Sequence, residues 1–157
     1  MHYKIVLVGD SCVGKTSIVD SFFGRNMSKY DTGRCDSTIG VCFSCIEVDG
    51  IKMHVWDTAG QERYKSIVRL YFRNTHLFII VFDLNDKKSF DNLKSWVDVI
   101  NVEYTYDNYS YHDNCETIKF ILVGNKCDLD QDVTENEIND FVKENKIDFY
   151  ISTSAKE

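Results

Sequence analysis

Residues 9–16 of this chain read Gly9-Asp10-Ser11-Cys12-Val13-Gly14-Lys15-Thr16 and match the pattern G-x-x-x-x-G-K-[ST]. The pattern comes directly after the apolar run at 3–8, which is typical of a strand buried on both faces of a parallel sheet. Glycines let such a loop curl so that its backbone N–H groups point inward at an anion, and the helix that follows adds its positive end. The segment therefore predicts an α/β fold in which a strand, a phosphate-binding loop and a helix follow one another.

Further apolar runs along the chain predict more strands, at 77–82, 120–123 and 149–151. Helical patterns lie between them: one begins at Ser89 as the expected N-cap, and another begins at the capping box of Thr134 and Glu137. The segment 41–56 differs, because two strand-like halves meet at Asp49-Gly50, a strong hairpin signal. We therefore expect a six-stranded, mostly parallel sheet with one antiparallel strand, covered by helices on both faces in three layers.

Length and composition limit the class of protein. The 157 residues suffice for one domain, which we expect to span 1–157, and are too few for two well-filled cores. A formal net charge of −7 argues against a nucleic-acid-binding protein, which needs a basic face. The six cysteines include a single C-x-x-C pair, Cys42 and Cys45, which does not make a metal site without a second pair, and no leader-like apolar segment opens the chain, so we expect reduced thiols and a cytoplasmic protein.

Several residues fit the chemistry of a nucleoside triphosphate. In the loop pattern, the Lys15 ammonium reaches the β and γ oxygens and the Thr16 hydroxyl binds Mg²⁺. Asp57 and Gly60 come at the end of the second hairpin strand, where Asp57 can hold a water of Mg²⁺ and Gly60 can donate its N–H to the γ-phosphate. Gln61 can orient an attacking water. These positions predict a site that senses the third phosphate.

The base is indicated by Asn125-Lys126-Cys127-Asp128, which follows the predicted strand at 120–123. Open α/β sheets bind ligands at the edge where their strands end. A carboxylate at Asp128 can accept hydrogen bonds from both N1–H and the exocyclic amine of guanine, whereas adenine presents no such pair of donors. The methylene stem of Lys126 can lie along the base. The sequence therefore favours a guanine nucleotide.

Taken together, the motifs resemble those of a known family. The run from Trp56 to Tyr64, the segment Thr38-Ile39-Gly40-Val41 before it and Ser154-Ala155-Lys156 after it are similar to the Rab branch of the Ras-like small GTPases. The resemblance implies that Thr38 binds Mg²⁺ and touches the γ-phosphate when GTP is bound. It also implies that Ser154 and Ala155 contact the guanine O6.

The resemblance extends to complete sets of site residues. The implied catalytic residues are Gln61, Lys15 and Gly60, and the implied Mg²⁺ ligands are Thr16, Thr38 and Asp57. The implied nucleotide-binding residues are Gly9, Ser11, Cys12, Val13, Gly14, Lys15, Thr16, Ser17, Thr38, Gly60, Asn125, Lys126, Asp128, Leu129, Ser154, Ala155 and Lys156.

The activity implied by the resemblance is that of a GTP/GDP switch, a monomer that slowly hydrolyses GTP with Mg²⁺ and regulates vesicle traffic. Its partners would be an exchange factor, a GTPase-activating protein and effectors, bound through the two switches and an exposed triad of Phe43, Trp56 and Tyr71. Two alternatives stay open: a guanine-nucleotide-binding scaffold that scarcely hydrolyses GTP, and an ATP-using P-loop enzyme such as a kinase. Gln61 disfavours the first alternative and Asp128 the second.

The sequence also departs from the family pattern. Between Phe43 and Trp56 the hairpin is about two residues shorter in each strand than is usual in the family, and because a strand has a period of two, we expect the side-chain alternation and the register to be preserved. The first switch, before Thr38, is longer. Residues 104–117 are polar and tyrosine-rich, and we expect them to form an inserted surface loop. The last helix and the lipid-carrying tail of the family are missing, so we expect a C-terminally truncated domain whose full-length form reaches the cytosolic face of an endomembrane through that tail.

Overall fold

The computed structural model describes residues 2–24, 38, 40–60, 68–107 and 118–156. The strands are β1 (His2–Val8), β2 (Val41–Val48), β3 (Ile51–Thr58), β4 (Leu77–Asp83), β5 (Lys119–Asn125) and β6 (Phe149–Ser152). The helices are α1 (Lys15–Phe22), α2 (Lys87–Asp91), α3 (Leu93–Asp107) and α4 (Glu135–Glu144), with a short 3-10 helix at Arg69–Tyr71.

The six strands form one sheet in the order β2-β3-β1-β4-β5-β6. β2 and β3 pair antiparallel, whereas all the other neighbouring strands pair parallel. This confirms the predicted sheet. After β1 the chain forms β2 and β3, which lie on one side of β1. It then crosses to β4 on the other side, so the direction in which strands are added reverses at β1. Ligand sites in open α/β sheets lie beyond the carboxyl ends of strands at such a point.

Two apolar clusters cover the two faces of the sheet. On one face α3 and α4 bury Trp96, Ile100 and Ile138 against β4 and β5. On the other face α1 contributes Val19, which packs with Ile5, Leu7 and further side chains of β4 and β5. Helices on both faces confirm the three-layer architecture. Burial of the large side chains at about 1.5–3 kcal/mol each is the main force that holds the layers together.

The β2–β3 hairpin forms as the sequence predicts. Asp49 and Gly50 occupy its two turn positions with φ of 52° and 78°, as a type I′ turn requires. The register runs without interruption from Val48 opposite Ile51 to Val41 opposite Thr58. The alternation of side chains is therefore the same along the whole hairpin.

Two predicted boundaries are wrong. Asp86, not Ser89, caps the first helical segment after β4, since its carboxylate accepts from the Lys88 N–H. Ser89 lies inside α2 and donates its hydroxyl to the Asp86 carbonyl, a bond that satisfies the hydroxyl within the helix. The loop predicted at 104–117 is wrong for its first four residues, because α3 continues to Asp107; residues 108–117 lie outside the described residues. The capping box of Thr134 and Glu137 is confirmed.

A groove of about 550 Å³ opens on the face of the sheet that α1 covers only in part. Phe149 at its rim is 62% exposed. The residues that line the groove are Tyr3, Ile5, Met53, His76, Leu77, Lys119, Ile121 and Phe149. Apolar side chains of β1, β3, β4, β5 and β6 are thus accessible on this face of the sheet.

Gly9, directly after β1, cannot carry a side chain. Its φ is +139°, and an added Cβ would lie 2.1 Å from the carbonyl oxygen of Val81 in β4. We expect Gly9→Ala to lower the free energy of unfolding by more than about 3 kcal/mol, because both the backbone and the neighbouring strand must move. Urea unfolding measures this change. Gly24→Ala is the matched control, since its φ is +62° but no atom of the described residues lies within 4 Å of the added Cβ. A similar loss for both variants would contradict the close approach at Gly9.

Candidate nucleotide-binding site

The loop between β1 and α1 turns sharply through residues with positive φ. Gly14 has a φ of 98°, and an added Cβ would lie 2.1 Å from the Asn125 side-chain nitrogen. Cys12 also has a φ of 63°, a left-handed conformation that costs an L residue roughly 1–2 kcal/mol. This backbone leads straight into the first turn of α1, so that the positive end of the helix and the curled loop lie together.

Lys15 is the positive charge of this loop. It is 5% exposed, and its ammonium donates to the carbonyl oxygens of Gly9 at 2.9 Å and Asp10 at 2.7 Å. Burial lowers the pKa of Lys15 to about 8, although the negative charges of Asp57 and Asp10 oppose that shift. A buried cation held only by carbonyls, with carboxylates at longer range, is well placed to exchange those carbonyls for phosphate oxygens.

Oxygen atoms from three separate segments meet beside Lys15. The Thr16 hydroxyl at the start of α1 donates to the Asp57 carboxylate at 2.6 Å, and it lies 2.8 Å from the Thr38 hydroxyl. The structure thus brings together the three residues predicted to hold Mg²⁺. Burial raises the pKa of Asp57, whereas the hydrogen bond from Thr16 and the charge of Lys15 lower it.

The other oxygen of Asp57 tests whether this cluster fits a cation. Oδ1 is buried and has no hydrogen-bond partner among the described residues. An unsatisfied carboxylate oxygen in a dry site is costly unless a cation or its water meets it. Carboxylate, hydroxyl and water oxygens are also the ligands that Mg²⁺ prefers. The cluster of Thr16, Thr38 and Asp57 therefore fits Mg²⁺.

Gly60 lies against the phosphate-binding loop. A Cβ at this position would come within 2.3 Å of the Asp10 carbonyl and 2.4 Å of the Ser11 nitrogen. Only a glycine allows the segment after β3 to approach the loop this closely. Gln61, the predicted water-orienting residue, lies outside the described residues.

Asn125 at the end of β5 links the phosphate loop to the segment after β6. Its side-chain nitrogen donates to the Val13 carbonyl at 2.8 Å, and its side-chain oxygen accepts from the Thr153 hydroxyl at 3.2 Å. The side chain is almost fully buried. The backbone N–H of Cys127 also donates to the Thr153 carbonyl at 3.0 Å. One amide therefore joins the two ends of the candidate site.

Asp128 lies in the turn that follows Asn125 and is exposed to solvent. Lys126 has a φ of 63° and donates its ammonium to the carboxylate of Asp83, the last residue of β4. This ion pair restrains the stem of Lys126 at the edge predicted to receive the base. The other residues predicted at this end lie on the same edge: Leu129 is exposed, Ser154 and Ala155 are half-buried, and the Lys156 N–H donates to the Ser154 hydroxyl.

The predicted aromatic triad also forms. Phe43 lies directly opposite Trp56 across the hairpin, with ring centroids 5.0 Å apart. Tyr71 in the 3-10 helix packs on the other side of Trp56 at 5.3 Å. Phe43 is 52% exposed, so the triad is reachable from solvent, and the Lys4 ammonium lies 5.2 Å from the centre of the Trp56 ring.

The cysteines correct one expectation. Cys12 in the phosphate loop is part of a disulfide, so the prediction of reduced thiols is wrong at this position. Cys42, Cys45 and Cys127 carry free thiols. Among the described residues no cluster of His, Cys, Asp or Glu could hold a metal ion, and the cation ligands named above are instead two hydroxyls and one carboxylate.

Sequence reasoning missed two carboxylates of the site. Asp83 directly follows the buried part of β4, and a polar residue at the carboxyl end of a parallel strand was the signal that could have identified it. Asp10 occupies a variable position of the loop pattern, and nothing in the pattern indicates its partners. Both partners lie far along the chain: the Asn92 amide donates to the Asp10 carboxylate at 2.6 Å and the Trp96 indole at 2.8 Å.

Comparison with known proteins identifies the family to which the chain is related. The model of the Ras family matches residues 4–157. The chain is similar to the GTP-binding protein YPT1 of Saccharomyces cerevisiae, with 40% identity over 98% of this chain and 70% of that protein. It is 38% identical to the "Probable Rab-related GTPase" of Acanthamoeba polyphaga mimivirus, over 97% of this chain and 68% of that protein.

A third relative is the Ras-related protein RabC of Dictyostelium discoideum, which is 38% identical over 99% of this chain and 76% of that protein. In the part of the chain that the structure describes, no helix has the length and apolar character needed to cross a bilayer. The order of the motifs, the sheet and these likenesses agree. The chain therefore belongs to the Ras family, and it is a Rab-like small GTPase.

Proposed function

We propose that residues 1–157 act as one unit that binds GTP or GDP with Mg²⁺, slowly hydrolyses GTP, and changes its contacts with partner proteins according to the nucleotide bound. The observation that carries the proposal is the convergence of Lys15, Thr16, Thr38 and Asp57 at the carboxyl edge of the sheet, beside a loop of left-handed residues. Because the protein has a net charge of −7, an anion must be bound by a local cation and local donors, and this arrangement supplies them.

The phosphates would occupy the loop at 9–16. Lys15 would exchange the carbonyls of Gly9 and Asp10 for the β and γ oxygens, and backbone N–H groups of the loop would complete the cradle. Ser17 in the first turn of α1 lies next to Thr16, close to the same phosphates. The resulting hydrogen bonds are charge-assisted, which makes them stronger than the bonds to carbonyls that they replace.

The guanine base would lie at the Asn125–Asp128 end of the site. Asp128 would accept from N1–H and the exocyclic amine, and Lys126, held by Asp83, would support the plane of the ring. Ser154 and Ala155 would meet O6, an atom that the Asp128 carboxylate would repel.

Thr16, Thr38 and Asp57 would hold Mg²⁺, directly or through water. Bound there, the ion neutralises charge on the β and γ phosphates and orients them for in-line attack. Gly60 would donate its N–H to the γ-phosphate, and Gln61 would orient the attacking water. Hydrolysis by the chain alone would be slow, and a GTPase-activating protein would supply a cation in trans.

Partner proteins would read the nucleotide through the two switches and the triad of Phe43, Trp56 and Tyr71. A solvent-reachable aromatic cluster of this kind is typical of interface centres. By analogy with the Rab-related proteins that it resembles, the chain would act in vesicle traffic on the cytosolic side of an endomembrane, with an exchange factor, an activating protein and effectors as partners.

Two measurements test the proposal. The nucleotide retained by the purified protein is identified by chromatography, and we expect GDP or GTP. Single-turnover hydrolysis of GTP is then followed with and without Mg²⁺, and we expect slow release of phosphate only with Mg²⁺. Retention of an adenine nucleotide would contradict the assignment, and bound GTP that is not hydrolysed would favour a scaffold.

Asp57 gives a specific prediction for the metal. We expect Mg²⁺ to slow GDP release from the unmodified chain by at least about tenfold, because the carboxylate and its neighbours tie the ion to the phosphates. In Asp57→Asn the slowing should fall below about threefold, because the amide is a weaker ligand. Stopped-flow release of a fluorescent GDP analogue, with Mg²⁺ or with EDTA, measures both. Asp140→Asn on exposed α4 is the control, and equal Mg²⁺ effects in the two variants would contradict the site.

A further inference from the structure

Asp10 is the one carboxylate inside the phosphate loop, and both of its oxygens are engaged. The Trp96 indole N–H donates to Oδ1 at 2.8 Å, and the Asn92 amide donates to Oδ2 at 2.6 Å. Trp96 is fully buried in α3, and Asn92 directly precedes that helix. We call the three side chains the Asp10 clamp. It connects the loop directly to α3 through the Trp96 indole and to the residue before α3 through Asn92.

The backbone carbonyl of Asp10 makes contacts of its own, on the side of the loop away from the Asp10 side chain. Its carbonyl accepts from the Lys15 ammonium at 2.7 Å, and it is the atom that a Cβ on Gly60 would approach to 2.3 Å. One peptide therefore touches the phosphate-binding lysine and the segment that leads to Gln61, while its side chain is fixed to α3. A shift of the side chain would move both contacts.

The charge of Asp10 makes the clamp more than a packing contact. A carboxylate in a loop that receives phosphates repels them unless it is held away and its charge is met by donors. Two neutral donors, one of them in the core, do this without introducing a cation that would compete for the ligand. The charge still attracts Lys15, whose pKa it helps to raise against burial.

We propose that Asn92 and Trp96 are positioning residues for the nucleotide: by clamping the Asp10 carboxylate to α3, they set the position of the loop peptide that meets Lys15 and Gly60, and so they slow nucleotide release. The inference rests on the proposed function, since it concerns how tightly the same site holds its phosphates.

The test uses the full chain and GDP release. Trp96→Phe keeps an aromatic ring and removes the N–H donor together with part of the indole, and we expect release to become about tenfold faster, as for the loss of a hydrogen bond to a charged group. Asn92→Ala removes the other donor at a less buried position, with an expected increase of about fivefold. Ile138→Val in α4 serves as the stability control, since it trims the same apolar cluster without touching the clamp; its release should stay within about twofold of the unmodified chain.

A double-mutant cycle with Asp10→Ala separates positioning from general loosening. If Trp96 acts through the carboxylate, Trp96→Phe should change release less than about twofold once Asp10 is alanine. The chain has two tryptophans, so an indole ¹H–¹⁵N spectrum has two signals, and Trp56→Phe assigns them. The Trp96 signal should move in Asp10→Ala while that of Trp56 stays.

The outcomes are distinct. Equal acceleration by Trp96→Phe with and without Asp10, or release that is unchanged in both Trp96→Phe and Asn92→Ala, overturns the inference and leaves the proposed function intact. Acceleration by Ile138→Val equal to that by Trp96→Phe, at a matched melting temperature, also overturns it. An unmodified chain that holds no guanine nucleotide contradicts the proposed function and this inference with it.

Discussion

Asp128→Asn is expected to shift the chain from GTP to XTP. The amide can accept one hydrogen bond but its NH₂ faces the donors of guanine, so two charge-assisted bonds are lost, roughly 3–6 kcal/mol or a hundredfold to ten-thousandfold in affinity. Xanthine carries an oxygen where guanine has its amine, and the new NH₂ can donate to it. Competition of GTP and XTP for a fluorescent GDP analogue measures the shift.

Asp130→Asn provides the matched control for this experiment. Asp130 is exposed and lies two residues after Asp128. Its backbone carbonyl accepts a hydrogen bond from the Asn85 side chain, and this bond does not involve the carboxylate. We expect its GTP and XTP affinities to equal those of the unmodified chain. If Asp128→Asn leaves the preference unchanged, Asp128 does not read the base and the assignment of a guanine site fails.

Lys15→Met is expected to weaken GDP and GTP binding by at least about a hundredfold, because the cation that meets the β and γ oxygens is removed while the stem is kept. Equilibrium titration with fluorescent nucleotides measures the loss. Lys88→Met in α2 removes an exposed lysine and should leave both affinities unchanged. Retention of tight binding by Lys15→Met would mean that the phosphates do not reach this ammonium.

The same substitution has a signature in the nucleotide-free chain. Burial lowers the pKa of Lys15 from its ordinary value of 10.5 to about 8 in the folded protein. Between these two values the unfolded chain holds more protons than the folded chain, so the free energy of unfolding rises with pH in that window. At about 1.4 kcal/mol for each unit, the rise approaches roughly 3 kcal/mol. Urea unfolding at several pH values should show this rise in the unmodified chain and its absence in Lys15→Met.

Much of the fold could be predicted because its signals are local. Apolar runs mark β1, β4, β5 and β6, and Asp49-Gly50 marks the hairpin turn, since each depends on a few neighbouring residues. The error at Ser89 arose because Asp86 and Ser89 both suit a helix start; Asp86 caps the helix, and the hydroxyl of Ser89 instead donates to the carbonyls of Asp83 and Asp86, which precede the helix. At 104–107 the helix continues through Tyr, Thr and Asp residues whose intrinsic helix propensity is low, so neither composition nor propensity predicts its end.

In the candidate site, too, local patterns predict some residues and miss the contacts between distant segments. The loop pattern predicts Lys15 and Thr16, and the strand-end positions predict Asp57 and Asn125. What the sequence could not indicate are contacts between segments more than forty residues apart, such as Lys126 with Asp83 and the Asp10 clamp. These depend on which strands become neighbours and how α3 lies on the sheet, and no local pattern carries that information.

Asn125 has a further consequence, because its one amide bonds to the Val13 carbonyl on one side and to the Thr153 hydroxyl on the other. A rigid tie of this kind sets the span between the two halves of the site before any ligand arrives. The fixed span should therefore select ligands by length. A ligand that fills only one half of the site, such as guanosine or pyrophosphate, gains no binding free energy from the other half, whereas a ligand of the correct length contacts both halves without reorganisation of the protein.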